Sequence, residues 1–144
     1  MNWNPSKDPV VFGPEIWTLQ NQGGISRYFF ELVTQLDSLG VRVICLTPTS
    51  SNIYLRRLPD RLKIRVVYRG NRFLNHIDYL KMIRNIPRGA IFHPTYFAGI
   101  PSIYFNRFLR IRTVITVFDM ISEIYPSEIP RRFWSRDYKK YLVE

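Results

Sequence analysis

The chain is short of cysteine, of acidic residues and of long apolar runs, and each shortage narrows what it can be. Its one cysteine, Cys45, cannot close an internal disulfide and offers no thiolate cluster for a metal. A reducing, cytoplasmic setting is the expectation that follows. No stretch approaches the ~18 consecutive apolar residues that a transmembrane helix needs. The opening Met1-Asn2-Trp3-Asn4-Pro5 has neither the basic flank nor the apolar stretch of a secretory signal. Acidic residues number 11 against 21 Lys and Arg, a formal net charge of +10. That excess favours an anionic partner: nucleic acid, an acidic membrane or a phosphorylated ligand. There is no G-x-G-x-x-G, no P-loop, no zinc or Asp-x-Asp metal motif, no internal repeat and no low-complexity segment.

What is present suffices for one packed domain. Hydrophobic residues make up 46% of the 144 and aromatics 15%, which argues against disorder. Val10 to Phe12 read as a first strand, stopped by Gly13-Pro14, and Glu15 to Gln22 as a loop anchored by Ile16, Trp17 and Leu19. Gly23-Gly24 then open a helix to about Leu39, with Phe29, Leu32, Val33, Leu36 and Leu39 at helical spacing and Gly40 as its C-terminal cap. Val41 to Leu46 form a second strand, apolar enough to be buried on both faces. Residues 47–61 read as a loop with at most one helical turn. Lys63 to Tyr68 form a third strand. Asn71 caps a second helix whose apolar face is Phe73, Ile77, Leu80 and Ile83. Ala90 to His93 are a fourth strand and Ile111 to Phe118 a fifth, ending at Asp119. A last helix starts near Pro130. Alternating helices and apolar strands predict an α/β fold: a Rossmann-like parallel sheet flanked by helices.

In such sheets ligands bind beyond the carboxyl ends of the strands, and the candidate residues fall there. Gly23 and Gly24 follow strand one. They let a backbone come close to a ligand and tolerate positive φ, and the helix behind them presents unpaired N–H groups and a positive dipole end. The pair is either an anion site or a plain helix-entry turn. Arg27 in the first helical turn binds an anion or faces solvent. His93, at the end of strand four, is either a structural hydrogen-bonder or a site residue. Thr95 and Tyr96 follow it at the same edge. Asp119, after strand five, orients a reacting hydroxyl or caps a turn. No role is assigned to His76.

Three blocks, in order, carry a resemblance. Gly23-Gly24-Ile25-Ser26-Arg27-Tyr28-Phe29 resembles the glycine loop of family-four glycosyltransferases of the GT-B fold. Phe92-His93-Pro94-Thr95-Tyr96-Phe97 resembles their second block, and Val114 to Ile121 through Tyr125-Pro126 a third. The resemblance runs from Val10 onward. It implies the N-terminal, acceptor-side half of a two-domain GT-B enzyme, truncated within a helix at Leu142-Val143-Glu144, with residues 1–144 as one incomplete domain. On that reading the C-terminal donor-binding domain lies outside this chain.

The implied activity is retaining sugar transfer from a nucleotide sugar to a glycan or lipid-linked acceptor, with no cofactor and no essential metal, and with this half inactive alone. The implied roles are donor-phosphate binding by Gly23 and Gly24, acceptor or sugar binding by Arg27, His93, Thr95 and Tyr96, and catalysis by Asp119. The family commonly has His just before that aspartate; here Phe118 stands there, which puts donor-sugar contact from this position in doubt. In the last third, basic residues including Arg132, Arg136 and Lys140 mingle with Phe133 and Trp134. That mixture suits an anionic membrane or nucleic acid. The resemblance favours peripheral docking on the inner face of a membrane, and nucleic acid is disfavoured. The alternative is a basic nucleic-acid-binding or anion-binding module without catalysis, or a nucleotide-binding domain unrelated to sugars.

Overall fold

Val10–Phe12 form strand β1, a β-branched pair and a phenylalanine that are buried on both faces. The other elements are arranged about it. They are helix α1 (Glu15–Leu19), helix α2 (Gly24–Ser38), strand β2 (Val43–Thr47), helix α3 (Ile53–Arg57), a 3₁₀ turn (Asp60–Leu62) and strands β3 (Lys63–Arg65), β4 (Ile91–His93) and β5 (Arg112–Thr113). The computed structural model describes residues 4–5, 7–67, 78, 81–82, 84, 86–96, 111–116 and 118. The predicted helical face Phe73, Ile77, Leu80 and Ile83, the catalytic candidate Asp119 and the last helix with Arg132, Arg136 and Lys140 lie outside them.

The strands make one five-stranded sheet, entirely parallel, in the order β3-β2-β1-β4-β5. This is a Rossmann-like α/β fold, as the alternating pattern predicts. Strand alternation sends Val10, Phe12, Val43 and Cys45 to one face, where they pack with Ile16, Trp17, Phe29, Val33, Leu55 and Leu58. Val11, Ile44, Leu46 and Phe92 face the other way, onto Ala90 and the helical residue Met82. Cys45 is sealed in the first cluster, and burial pushes its thiol up to about 12, so it is inert at neutral pH.

Helix α2 ends as its sequence indicates. Gly40 takes φ +74°, its N–H reaches Asp37 O at 3.0 Å and the Val41 N–H reaches Leu36 O at 3.0 Å. These are the two bonds of a Schellman cap. Outside this cap, Asp37 also takes both guanidinium N–H groups of Arg61 at 2.6 and 2.7 Å, an exposed contact between α2 and the 3₁₀ turn.

Several expectations are corrected. The segment after Pro14 is helical over Glu15–Leu19 rather than a loop, and Leu19 is exposed, not an anchor. Leu39 is 76% exposed, because it is the residue that leaves the helix at the cap. The third strand covers only Lys63–Arg65; it lies at the sheet's edge with Ile64 exposed, where one partner strand cannot bury it. The fifth covers Arg112–Thr113 as the opposite edge. Neither glycine of the pair has positive φ: Gly23 is extended at φ 175° and Gly24 is the first helical residue.

Candidate functional site

The strand order creates one topological switch point. The chain leaves β1 for β2 and β3 on one side, then returns to set β4 on the other side of β1. Loops that follow β1 and β4 therefore diverge at the carboxyl edge, and the gap between them is where open α/β sheets hold ligands. Gly13 follows β1 and donates its N–H to the His93 carbonyl at 2.9 Å, and the two loops stay bonded through Thr95 to Gly13, Glu15 and Ile16, so they part only beyond these bonds.

Helix α2 meets the same edge. The Phe29 ring lies 5.3 Å from His93 and 6.0 Å from Phe12, edge-on to both. Phe118 stands edge-on to Tyr28 at 5.3 Å and to Phe29 at 5.6 Å. Each such pair contributes about 0.5–1.5 kcal/mol beyond area burial. Phe118 is thus an aromatic wall joining the β5 loop to α2, a role that a phenyl ring fills and that needs no hydrogen bond. Tyr28 is the exposed member of the cluster.

The glycine turn is built by residues from elsewhere in the chain. A side chain at Gly23 would collide with the amide of Gln20, and that amide oxygen accepts from the Ser26 N–H at 3.3 Å. Gln20 therefore caps α2 in place of the missing side chain at the N-cap. Its own carbonyl is held by the buried Asn52 Nδ2 at 2.6 Å. Asn52 Oδ1 in turn accepts from Tyr54 N at 3.0 Å and Leu55 N at 2.9 Å, an N-cap for α3. Ser50 Oγ on the Trp17 carbonyl and Ser51 Oγ on Asn21 Oδ1 complete the clamp. A Cβ at Gly24 would meet nothing within 4 Å. The amides of Gly24 and Ile25 have no acceptor among the described residues.

The predicted residues divide in two. His93 is buried and its Nε2 lies 2.9 Å from Thr116 Oγ1. Burial lowers its pKa to about 4, so at neutral pH it is an uncharged hydrogen-bonder. Thr95 is fully buried and its hydroxyl faces protein groups. Tyr96 is half-buried against the first core cluster. His93 and Phe118 meet at the carboxyl edge through the rings of Phe29 and Tyr28 in the second turn of α2, the helix that Gly24 opens. Arg27 stands apart: its side chain is 68% exposed and sits 4.0 Å from Glu31 on the solvated face of α2.

Two residues that shape this edge do not stand out in the sequence. Glu15 is buried, with its carboxyl against Thr95. Asn52 had a usable cue, an Asn directly before a short apolar-basic run, which is the N-cap pattern. Among the described residues, no group of three His, Cys, Asp or Glu is placed to hold a metal ion, and no helix is long and apolar enough to cross a membrane. In comparisons with known proteins, no family model, curated protein or solved structure matches this chain.

Proposed function

We propose that this chain is the acceptor-side domain of a retaining glycosyltransferase, which moves a sugar from a nucleotide-sugar donor to a glycan or lipid-linked acceptor. The observation that carries the reading is the open start of α2 at the carboxyl edge. The Gly24 and Ile25 amides meet no acceptor among the described residues, and no side chain covers Gly24. A donor diphosphate fits that position: the helix dipole and two N–H groups stabilise negative charge as it develops on the leaving group. The neutral imidazole of His93 and the Phe118 wall give the crevice an uncharged, partly aromatic floor, suited to a sugar ring more than to a second anion. Asp119, next in sequence to that wall, orients the acceptor hydroxyl, as the resemblance implies. A donor-binding domain supplies the nucleoside contacts, and the basic residues Arg132, Arg136 and Lys140 meet an anionic membrane that carries the acceptor.

The test uses the whole reading frame that contains this chain. A panel of nucleotide sugars with labelled hexoses is offered with a membrane-lipid extract, and label in the lipid or glycan fraction is scored. Transfer that is lost in Asp119→Asn supports the reading, while the 144-residue chain alone transfers nothing. No transfer from any donor, together with salt-dependent binding to random oligonucleotides, would replace it with the nucleic-acid module.

A further inference from the structure

Glu15 is a buried carboxyl at the switch point, and its surroundings can be counted proton by proton. Thr95 Oγ1 lies within hydrogen-bond distance of three groups: the Ile16 N–H at 3.0 Å, the Gly13 carbonyl at 3.1 Å and Glu15 Oε2 at 3.0 Å. The Thr95 N–H also reaches Glu15 Oε2, at 2.9 Å. These are four contacts, served by two amide protons and one hydroxyl proton. With an ionised carboxylate one contact has no proton, and the hydroxyl must leave either Gly13 O or Glu15 Oε2 as a lone-pair clash in a buried site. A protonated carboxyl supplies the fourth proton. Oε2–H then donates to Oγ1, Oγ1–H donates to the Gly13 carbonyl, and the two amides donate as before.

We infer that Glu15 is a neutral carboxylic acid in the folded chain at neutral pH, and that this proton makes it the positioning residue of the crevice by tying the loop after β4 to the loop after β1. Thr95 and Glu15 stand 80 positions apart in sequence, so their bond closes the fold across the switch point. The carboxyl lies over Gly13, where any side chain would run into both of its oxygens, so Gly13 is needed for close approach. The electrostatics agree. Burial raises the pKa of Glu15, only partly offset by the Thr95 amide, its own backbone N–H and the Thr95 hydroxyl. No charged side chain among the described residues contributes to that shift. On β4 the nearby titratable group is His93, which is itself neutral, and on α2 the first-turn Arg27 points to solvent beside Glu31.

The role in shaping a ligand site rests on the transferase reading; the protonation does not. The test is therefore done on the unliganded 144-residue chain, by ¹³C NMR titration of glutamate side-chain carboxyls. Glu15→Gln assigns the resonance by its loss; should that variant not fold, the one glutamate signal perturbed by Thr95→Ser carries the assignment. The Glu15 carboxyl is expected to keep the chemical shift of its protonated form at pH 7, where a free glutamate is ionised. The Gly13, Thr95 and Tyr96 amide resonances should move with its midpoint. A Glu15 signal that titrates in the ordinary carboxylate range overturns the inference. So does a high midpoint with those three amides unmoved, which leaves the carboxyl buried but positioning nothing. Neither outcome bears on sugar transfer, and a failed transfer assay leaves the titration standing.

Discussion

Replacing Asn52 with alanine should destabilise the chain by about 3 kcal/mol and loosen the glycine turn from 30 residues away. The side chain is fully buried and makes three directed bonds. Loss of the N-cap bonds to Tyr54 and Leu55 costs roughly 1 kcal/mol. The Gln20 carbonyl, stripped of Nδ2 in a part-buried site, costs about 1–3 kcal/mol more. At roughly 3 °C per kcal/mol for a domain of this size, the melting temperature should fall by about 10 °C.

The assay is thermal and urea unfolding by circular dichroism, with amide hydrogen exchange to localise the effect. Tyr54 and Leu55 amides should lose protection, and so should Ser26, because Gln20 caps α2 only while its own backbone is held. Asn52→Ser keeps a cap oxygen but cannot reach Gln20, so it should recover roughly 1 kcal/mol and protect Tyr54 and Leu55 again, but not Ser26. A drop of less than ~2 °C in the alanine variant, or unchanged exchange at Ser26, would refute the claim that this clamp builds the turn.

His93 has its pKa depressed to about 4 against 6.5, so the folded state binds the proton more weakly. Its contribution is therefore full above pH ~6.5 and lost as pH falls toward ~4, on the order of 3 kcal/mol at ~1.4 per unit. An acid-unfolding curve of His93→Asn should lack that limb. On the transferase reading, Gly24→Val in the whole reading frame should lower sugar transfer about 100-fold, roughly 3 kcal/mol of barrier, and lower stability far less. A Cβ there meets nothing and the backbone is already helical, so normal turnover would mean the glycine serves the turn alone. Binding to vesicles of anionic lipid should vanish in the triple variant Arg132→Glu, Arg136→Glu, Lys140→Glu and weaken with salt; equal binding to neutral vesicles would count against docking.

The sequence was most readable where structure is decided locally. The Schellman end at Gly40 and the buried stretches Val10–Phe12 and Val43–Thr47 follow from spacing and residue type. It was least readable where position in the sheet decides. Lys63 to Tyr68 looks like any apolar strand, but the order β3-β2-β1-β4-β5 puts β3 at an edge, where Ile64 and Val67 stay exposed. Glu15 reads only as the first residue of a loop, because its burial depends on a threonine 80 residues on. The groups that hold the Thr95 hydroxyl, Gly13 and Ile16, are equally remote in sequence.

Glu15 and His93 bear on the crevice together, because burial acts on them in opposite directions. Desolvation disfavours the charged form of each, raising the carboxyl and lowering the imidazole. For Glu15 the folded pKa is the higher one, so its contribution is full below its unfolded value and declines as pH rises. For His93 the sense is reversed, and its contribution declines as pH falls. Stability attributable to the two is thus pulled both ways across the mildly acidic range, and at neutral pH the imidazole is uncharged. With Glu15 protonated as well, the floor of the switch point carries no formal charge. An anion arriving there meets neither a repelling carboxylate nor an imidazolium; its attraction comes from the backbone N–H groups at the start of α2. On the transferase reading proposed above, that would place phosphate binding on Gly24 and Ile25, and it is why a substitution at Gly24, which the fold tolerates sterically, is the sharper probe of that reading than any change to His93.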